Sequence, residues 1–133
     1  MRQGRVILVD KNPAALGGIC RLLESEVETV LMVADKTSLH HALGSYAPDL
    51  VLADLSFPLA ANAGIVREIK DHFPDIKVIV LSIHDERSVV DDVLASGAEG
   101  FILKRRAVID LVPAIREVLG GGRYVSSDVD EAL

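Results

Sequence analysis

Apolar runs and amphipathic stretches alternate along the chain with short joins between them. Residues 5–10 read as a first strand, in which Val6, Ile7, Leu8 and Val9 lead directly into Asp10. Further apolar-rich runs at 27–33, 50–53, 76–81 and 100–103 predict four more strands. Between them the apolar residues switch to helical spacing. Leu16, Ile19, Cys20 and Leu23 recur at i, i+3, i+4 and i+7 behind Pro13, which opens the first predicted helix. A short second helix covers about 37–45, and Pro48-Asp49 closes the join after it. Residues 56–63 read as a loop, with a third helix from about Gly64 to His72.

Asp85 reads as the N-cap of a fourth helix that turns Val89, Val90, Val93 and Leu94 to one side and ends at Gly97. Val108, Leu111, Val112, Ile115, Val118 and Leu119 mark a fifth, stopped by the glycines at 120–122. Pro113 falls inside that last pattern. It lacks the N–H owed to the carbonyl of Ile109, and a mid-helix proline costs about 3 kcal/mol against alanine. Either Asp110 caps a late-starting helix, with Pro113 in its first turn, or the helix starts near Ala107 and kinks near Ile109. Local chemistry favours the late start or a distorted first turn.

Five successive βα units predict an α/β fold, a doubly wound parallel sheet with helices on both faces. In such sheets ligands sit beyond the carboxyl ends of the strands. Asp10, Asp54, Ser82 and Lys104 each follow a predicted strand, so two carboxylates, a hydroxyl and an amine arrive at one edge. A lone strand-end aspartate is more often a turn residue. The set says more. Two carboxylates at close range need a cation, which Lys104 or a divalent metal could supply. Phosphoryl transfer to a carboxylate needs that same positive charge, and Ser82 could donate to the same oxygens.

Composition agrees with this frame. The 133 residues suit one domain, half of them hydrophobic but only 4% aromatic and without Trp. Such a core of Val, Leu, Ile and Ala fits parallel strands covered on both faces. A formal charge of −6 argues against a nucleic-acid-binding surface, and the basic KRR stretch at 104–106 is too short to make one. No apolar run approaches membrane-spanning length and no leader is legible, so no membrane contact is expected. A single cysteine, Cys20, allows no internal disulfide, points to a cytoplasmic setting, and reads as a small core residue.

The segments VILVDKNP, PDLVLADLSFP, VIVLS, GAEGFILK and AIREVLGGGRYVS together resemble the receiver domain of bacterial two-component response regulators, most closely the NarL/LuxR-type branch. The resemblance implies a flavodoxin-like sheet of order 2-1-3-4-5, with residues 1–122 as the receiver and 123–133 as the start of a linker. That linker would lead to a DNA-binding domain, so that DNA is met only through a C-terminal domain outside this chain. It further implies that Asp54 accepts a phosphoryl group from a histidine kinase, and that Ser82, Lys104 and Phe101 contact the phosphoryl group or switch with it. Such a domain is no enzyme beyond assisting its own phosphorylation and dephosphorylation. A two-fold homodimer is the default closed assembly.

Departures from the family pattern are equally specific. The family carries two acids after the first strand to hold Mg²⁺; here Asp10 matches the first and Lys11 replaces the second. Mg²⁺ at Asp10 and Asp54 is therefore expected to be weak or absent, since a ligand is lost and repulsion added. Lys11 either pairs with Asp10 or Asp54, taking over part of the metal's charge role, or snorkels to solvent while the aspartates bind a weaker ion unaided. Ile83 stands where the family more often has a small residue and could narrow access to Asp54. His84, two residues past Ser82, lies on the same edge, although a surface loop role is the simpler reading. The loop after Asp54 is two residues longer than usual, and Arg105 follows Lys104 in place of an acid or proline.

Competing readings lack their residues. No GxGxxG or GxxxxGK follows the first strand, Asn12 stands where a cobalamin binder would carry histidine, and Asp10-Lys11-Asn12 is not the DxD of a haloacid-type phosphatase. Adjacent His40 and His41 read as solvated, and His72 as a helix-end residue. Two functions remain: a phosphorylated receiver controlling transcription, or a pseudo-receiver whose partners, not phosphate, set its conformation.

Overall fold

A computed structural model describes residues 4–10, 17–54 and 59–126. In chain order the elements are β1 Arg5–Val9, α1 Gly17–Glu26, β2 Thr29–Val33, α2 Lys36–Ser45, β3 Leu50–Asp54 and α3 Leu59–His72. There follow β4 Lys77–Ser82, α4 Arg87–Ala95, β5 Gly100–Leu103, a 3-10 turn Lys104–Arg106, α5 Ala107–Leu119 and β6 Tyr124–Val125. The strands form one sheet in the order β2-β1-β3-β4-β5-β6. All pairings are parallel. The expected doubly wound order is thus present, and a short sixth strand beyond β5 adds to it.

The two-residue period of the strands sorts the core into two layers. Ile7, Val9, Val51, Ala53, Val78, Val80 and Phe101 face α2, α3 and α4, packing with Leu39, Leu43, Val66, Ile69, Val90 and Val93. Val6, Leu8, Leu50, Leu52, Ile79, Leu81 and Ile102 face the other way onto Leu23 of α1 and Leu111, Ala114, Ile115 and Val118 of α5. Cys20 is half-buried against this second layer, and burial, with Glu24 nearby, pushes its thiol pKa up. It thus packs at the margin of the core, and not inside it as the sequence suggested.

The amino-terminal edge of the sheet is fastened by one partly buried ion pair. Lys70 Nζ, in the last turn of α3, lies 2.7 Å from Glu99 Oε2 and donates to the carbonyls of Ile76 at 2.9 Å and Pro74 at 3.2 Å. Glu99 Oε1 accepts the Val78 N–H at 2.9 Å, so the carboxylate also holds the start of β4. Next to it, Gly100 has no room for a side chain: a Cβ there would sit 2.9 Å from Ile79 Cγ1.

Several boundaries differ from those the sequence suggested. The third helix begins at Leu59, inside the stretch read as loop, because 59–63 is rich in alanine, the best helix former. Asp85 does not cap α4. The N-cap is Glu86, without a side-chain cap bond, because the Asp85 carboxylate is engaged by Arg105 Nη2 at 3.1 Å. Asp35 is the cap that was overlooked. It accepts the Ser38 N–H at 2.7 Å at the start of α2, and that bond lowers its pKa.

The late start of the fifth helix is also overturned. α5 runs from Ala107 through Pro113 to Leu119, and Asp110 caps nothing, since its carboxylate is bonded to Arg106, Tyr124 and Ser126. The missing bond is tolerable because Ile109, whose carbonyl loses its N–H, is 63% exposed, where water can substitute. The expected opening of the first helix at Pro13 lies outside the described residues.

Candidate functional site

Parallel register brings the predicted residues to one edge. Val9 pairs with Ala53, so Asp10 and Asp54 leave neighbouring strands at the same level. Asp54 pairs with Leu81 and Ser82 with Leu103, which places the Ser82 hydroxyl beyond Asp54 and Lys104 beyond Ser82. Asp10 is 7% exposed and Asp54 2%, so both carboxylates stand at the mouth of the core and not in open solvent. Burying two acids side by side demands compensating charge.

Lys104 supplies it. The 3-10 turn Lys104–Arg106 turns the chain over the strand ends, and the Lys104 ammonium lies 2.7 Å from Asp54 Oδ2. Ser82 Oγ accepts the His84 N–H at 3.0 Å, which folds the β4–α4 loop back over the hydroxyl. That bond uses an acceptor lone pair and leaves the hydroxyl proton for donation. His84 is half-buried, with Nδ1 3.7 Å from Glu86 Oε2, while Ile83 points outward at 60% exposure. Phe101 is fully buried in the layer beneath α4. Lys11 lies outside the described residues.

Across the rim, Arg105 reaches back to Asp85 and ties the β4–α4 loop to the turn after β5. The KRR stretch is thus divided among three carboxylates: Lys104 meets Asp54, Arg105 meets Asp85 and Arg106 meets Asp110. Sequence reasoning missed this division, and with it the cluster around Asp110. The available signal was an acid sitting in the apolar stripe of α5. Of the other histidines, His40 contacts Glu68 Oε1 at 3.0 Å beside Lys36, and His72 Nδ1 approaches the Glu68 carbonyl. The Lys36 hydrogen bond outweighs burial and lowers the Glu68 pKa.

Among the described residues no group of three or more His, Cys, Asp or Glu side chains comes together. Asp10 and Asp54 still offer two hard oxygen donors. Mg²⁺ commonly takes one or two carboxylates and completes its shell with water or phosphate, so the pair fits such an ion, with the Lys104 ammonium as competitor. An open groove of about 560 Å³ runs along β2 and α2, lined by Met32, Asp35, Ser38 and His41, and shares no residue with the strand-end set. Among the described residues no helix is long and apolar enough to cross a membrane.

A doubly wound parallel sheet whose carboxyl edge gathers buried acids, a hydroxyl and a lysine defines an α/β domain with one acidic strand-end pocket. The chain matches the response regulator receiver domain over residues 6–116 and belongs to that family, as a bacterial receiver of the NarL/LuxR type. It is 33% identical over 131 residues to the transcriptional regulatory protein DegU of Brevibacillus brevis, covering 97% of this chain and 56% of that protein. Identity to the transcriptional regulatory protein MctR of Rhizobium johnstonii is 34% over 133 residues, covering 97% and 61%. The chain thus spans about three fifths of the length of the curated relatives it matches.

Among solved structures, the isolated REC domain of RcsB from Salmonella enterica serovar Typhimurium, in the presence of phosphomimetic BeF3⁻, is similar at TM-score 0.85. It shares 29% identity, with 96% of each chain covered. A LuxR-family two-component response regulator from Aurantimonas is similar at TM-score 0.83 and 26% identity, with 96% of this chain and 92% of that one covered. The chain is a signal-receiving domain of a two-component system.

Proposed function

We propose that Asp54 is the phosphoacceptor of this domain and that a histidine kinase is the donor. One observation carries the reading: a buried strand-end carboxylate held 2.7 Å from an ammonium, where charge would develop on a transferring phosphoryl group. An Asp54 carboxylate oxygen attacks phosphorus, and the bond from phosphorus to the donor imidazole nitrogen breaks. That nitrogen takes up a proton as it leaves, and an acyl phosphate remains on Asp54. Lys104 then neutralises one phosphoryl oxygen and Ser82 donates its hydroxyl proton to another. Mg²⁺, where bound at Asp10 and Asp54, supplies further positive charge on those oxygens.

Lys11 makes this pocket atypical in the same reading: it weakens Mg²⁺ and supplies part of the missing charge itself. Phe101 switches with the phosphoryl group, and Ile83 and His84 set access from the β4–α4 loop. Residues 1–122 form the receiver and 123–133 begin the path to a transcription output domain, through which alone DNA is bound. Two-fold self-association belongs to the same reading.

The test is incubation with acetyl phosphate, with and without Mg²⁺, read by intact mass. A gain of one phosphoryl group in the wild type, absent from Asp54→Asn, supports the proposal. No gain under either condition would favour the pseudo-receiver reading, to which the existing Lys104–Asp54 contact lends its own support by already balancing the acid.

A further inference from the structure

Behind the strand end that carries Lys104 lies a second polar cluster with no part in the chemistry above. Ser126 donates its N–H to the Phe101 carbonyl at 3.0 Å, and its Oγ accepts the Leu103 N–H at 3.0 Å. The same hydroxyl donates to Asp110 Oδ2 at 2.7 Å. Arg106 Nε donates to that oxygen at 3.0 Å, and the Tyr124 hydroxyl to Oδ1 at 2.8 Å. Asp110 and Ser126 are each 2% exposed. Leu103 is the last residue of β5, and the next residue is Lys104. The unit 103–104 is therefore held from two sides, by Asp54 through the lysine ammonium and by Ser126 through the leucine amide.

A carboxylate in the buried stripe of α5, beside Leu111 and Ala114, is costly to desolvate, and an apolar residue would pack there more cheaply. What the acid does instead is fix the chain end. β6 has two residues and pairs with β5 alone, too short to secure its own register. Tyr124 and Ser126, both bonded to Asp110, secure it.

We propose that Asp110 and Ser126 are positioning residues that hold Lys104 against Asp54, so that the state of Asp54 and the seating of β6 are coupled. The coupling rests on the phosphoacceptor reading; the hold on Lys104 does not. Because such coupling is reciprocal, drawing β6 away loosens the lysine, and drawing the lysine onto a phosphoryl oxygen loosens β6. The segment through which any following domain is attached is thereby fastened to the turn that senses Asp54.

Competitive labelling of lysines with limiting acetic anhydride tests the hold without phosphate. Ser126→Ala and Asp110→Asn should each raise Lys104 labelling about fivefold relative to Lys36 and Lys77. Leu43→Ala, destabilised by a cavity in the core layer on the opposite face of the sheet, should leave that ratio unchanged. Tyr124→Phe, which removes one of the three donors, should give a smaller rise and decides the matter if neither stronger variant folds. An unchanged ratio in the folded Ser126→Ala protein, or an equal rise in Leu43→Ala, would overturn the proposal. Hydrogen exchange at the Leu103 and Ser126 amides, measured before and after BeF3⁻, tests the coupling. Faster exchange at both supports it, and unchanged exchange with BeF3⁻ bound refutes it. Failure of BeF3⁻ to bind would count against Asp54 as phosphoacceptor, while the labelling result would still decide the positioning role.

Discussion

The Lys104 ammonium stands 2.7 Å from Asp54 Oδ2, with Asp54 buried and the lysine side chain 32% exposed. The lysine thus reaches from solvent over a carboxylate that has none. Breaking a buried ion pair from one side costs about 3–5 kcal/mol, and the exposure of the lysine reduces this to about 1–3 kcal/mol. Lys104→Met should lower stability by that amount in metal-free buffer at neutral pH, and added Mg²⁺ should restore part of it. Urea denaturation with and without Mg²⁺ checks both. A loss that Mg²⁺ leaves untouched would show that the ion does not meet Asp54.

Position 11 gives a second prediction. Lys11→Asp returns a carboxylate to the pocket and should tighten Mg²⁺ binding by about tenfold, the equivalent of one good ligand. On the proposed phosphoacceptor role it should also raise the phosphorylation rate of Asp54, and it should cost stability in the absence of metal. Titration of Mg²⁺ against both proteins is the measurement. Equal affinities would mean that Lys11 points away from the acids.

Asp110 predicts an acid response. Burial alone would raise its pKa, but hydrogen bonds from Ser126, Arg106 and Tyr124 outweigh burial and hold it below the usual carboxylate value. A depressed folded pKa contributes stability above the unfolded value of about 3.9 and loses it as pH falls through the folded value. The stability difference between wild type and Asp110→Asn should therefore be constant down to about pH 5 and shrink below about pH 4. Urea midpoints at about pH 7, 5 and 3 report it. A gap that widens towards acid would contradict the assignment.

Pro113 predicts a gain. Since α5 runs through it unbroken, Pro113→Ala restores an N–H for the Ile109 carbonyl. Proline costs about 3 kcal/mol in a helix interior, while its stiffening of the unfolded chain returns about 0.4–1 kcal/mol. Ile109 is an exposed residue on the outer side of the helix, where water can replace part of the missing bond, so the net gain should be about 1–2 kcal/mol, seen as a higher melting temperature. No gain would mean that the helix has already adjusted around the ring.

How far the sequence revealed these features depended on the range of the interactions. Strand order and the strand-end set were legible because Val6 to Val9, or Leu50 to Ala53, state their burial locally and the sheet rule converts strand ends into a site. Asp110 was misread as a cap because its neighbour three residues on is a proline. Its real partners, Tyr124 and Ser126, lie 14 and 16 residues away and become neighbours only when β6 docks. Asp85 failed in the same way, its carboxylate taken by Arg105 from 20 residues off. Local propensity could not register either competitor.

The tie between Lys70 and Glu99 gives the two ends of the sheet unequal sensitivity to ionic strength. At the amino-terminal edge both side chains are 15% exposed, and the carboxylate also serves a backbone amide, so dissolved ions screen little of that attachment. At the carboxyl edge Arg105 and Asp85 are 51% and 43% exposed, and their attraction fades within a Debye length of about 8 Å at physiological salt. Rising salt should therefore slacken the rim above Asp54 first while the opposite margin keeps its spacing. The rim of the strand-end pocket would then follow the ionic conditions around it, with no change in the core.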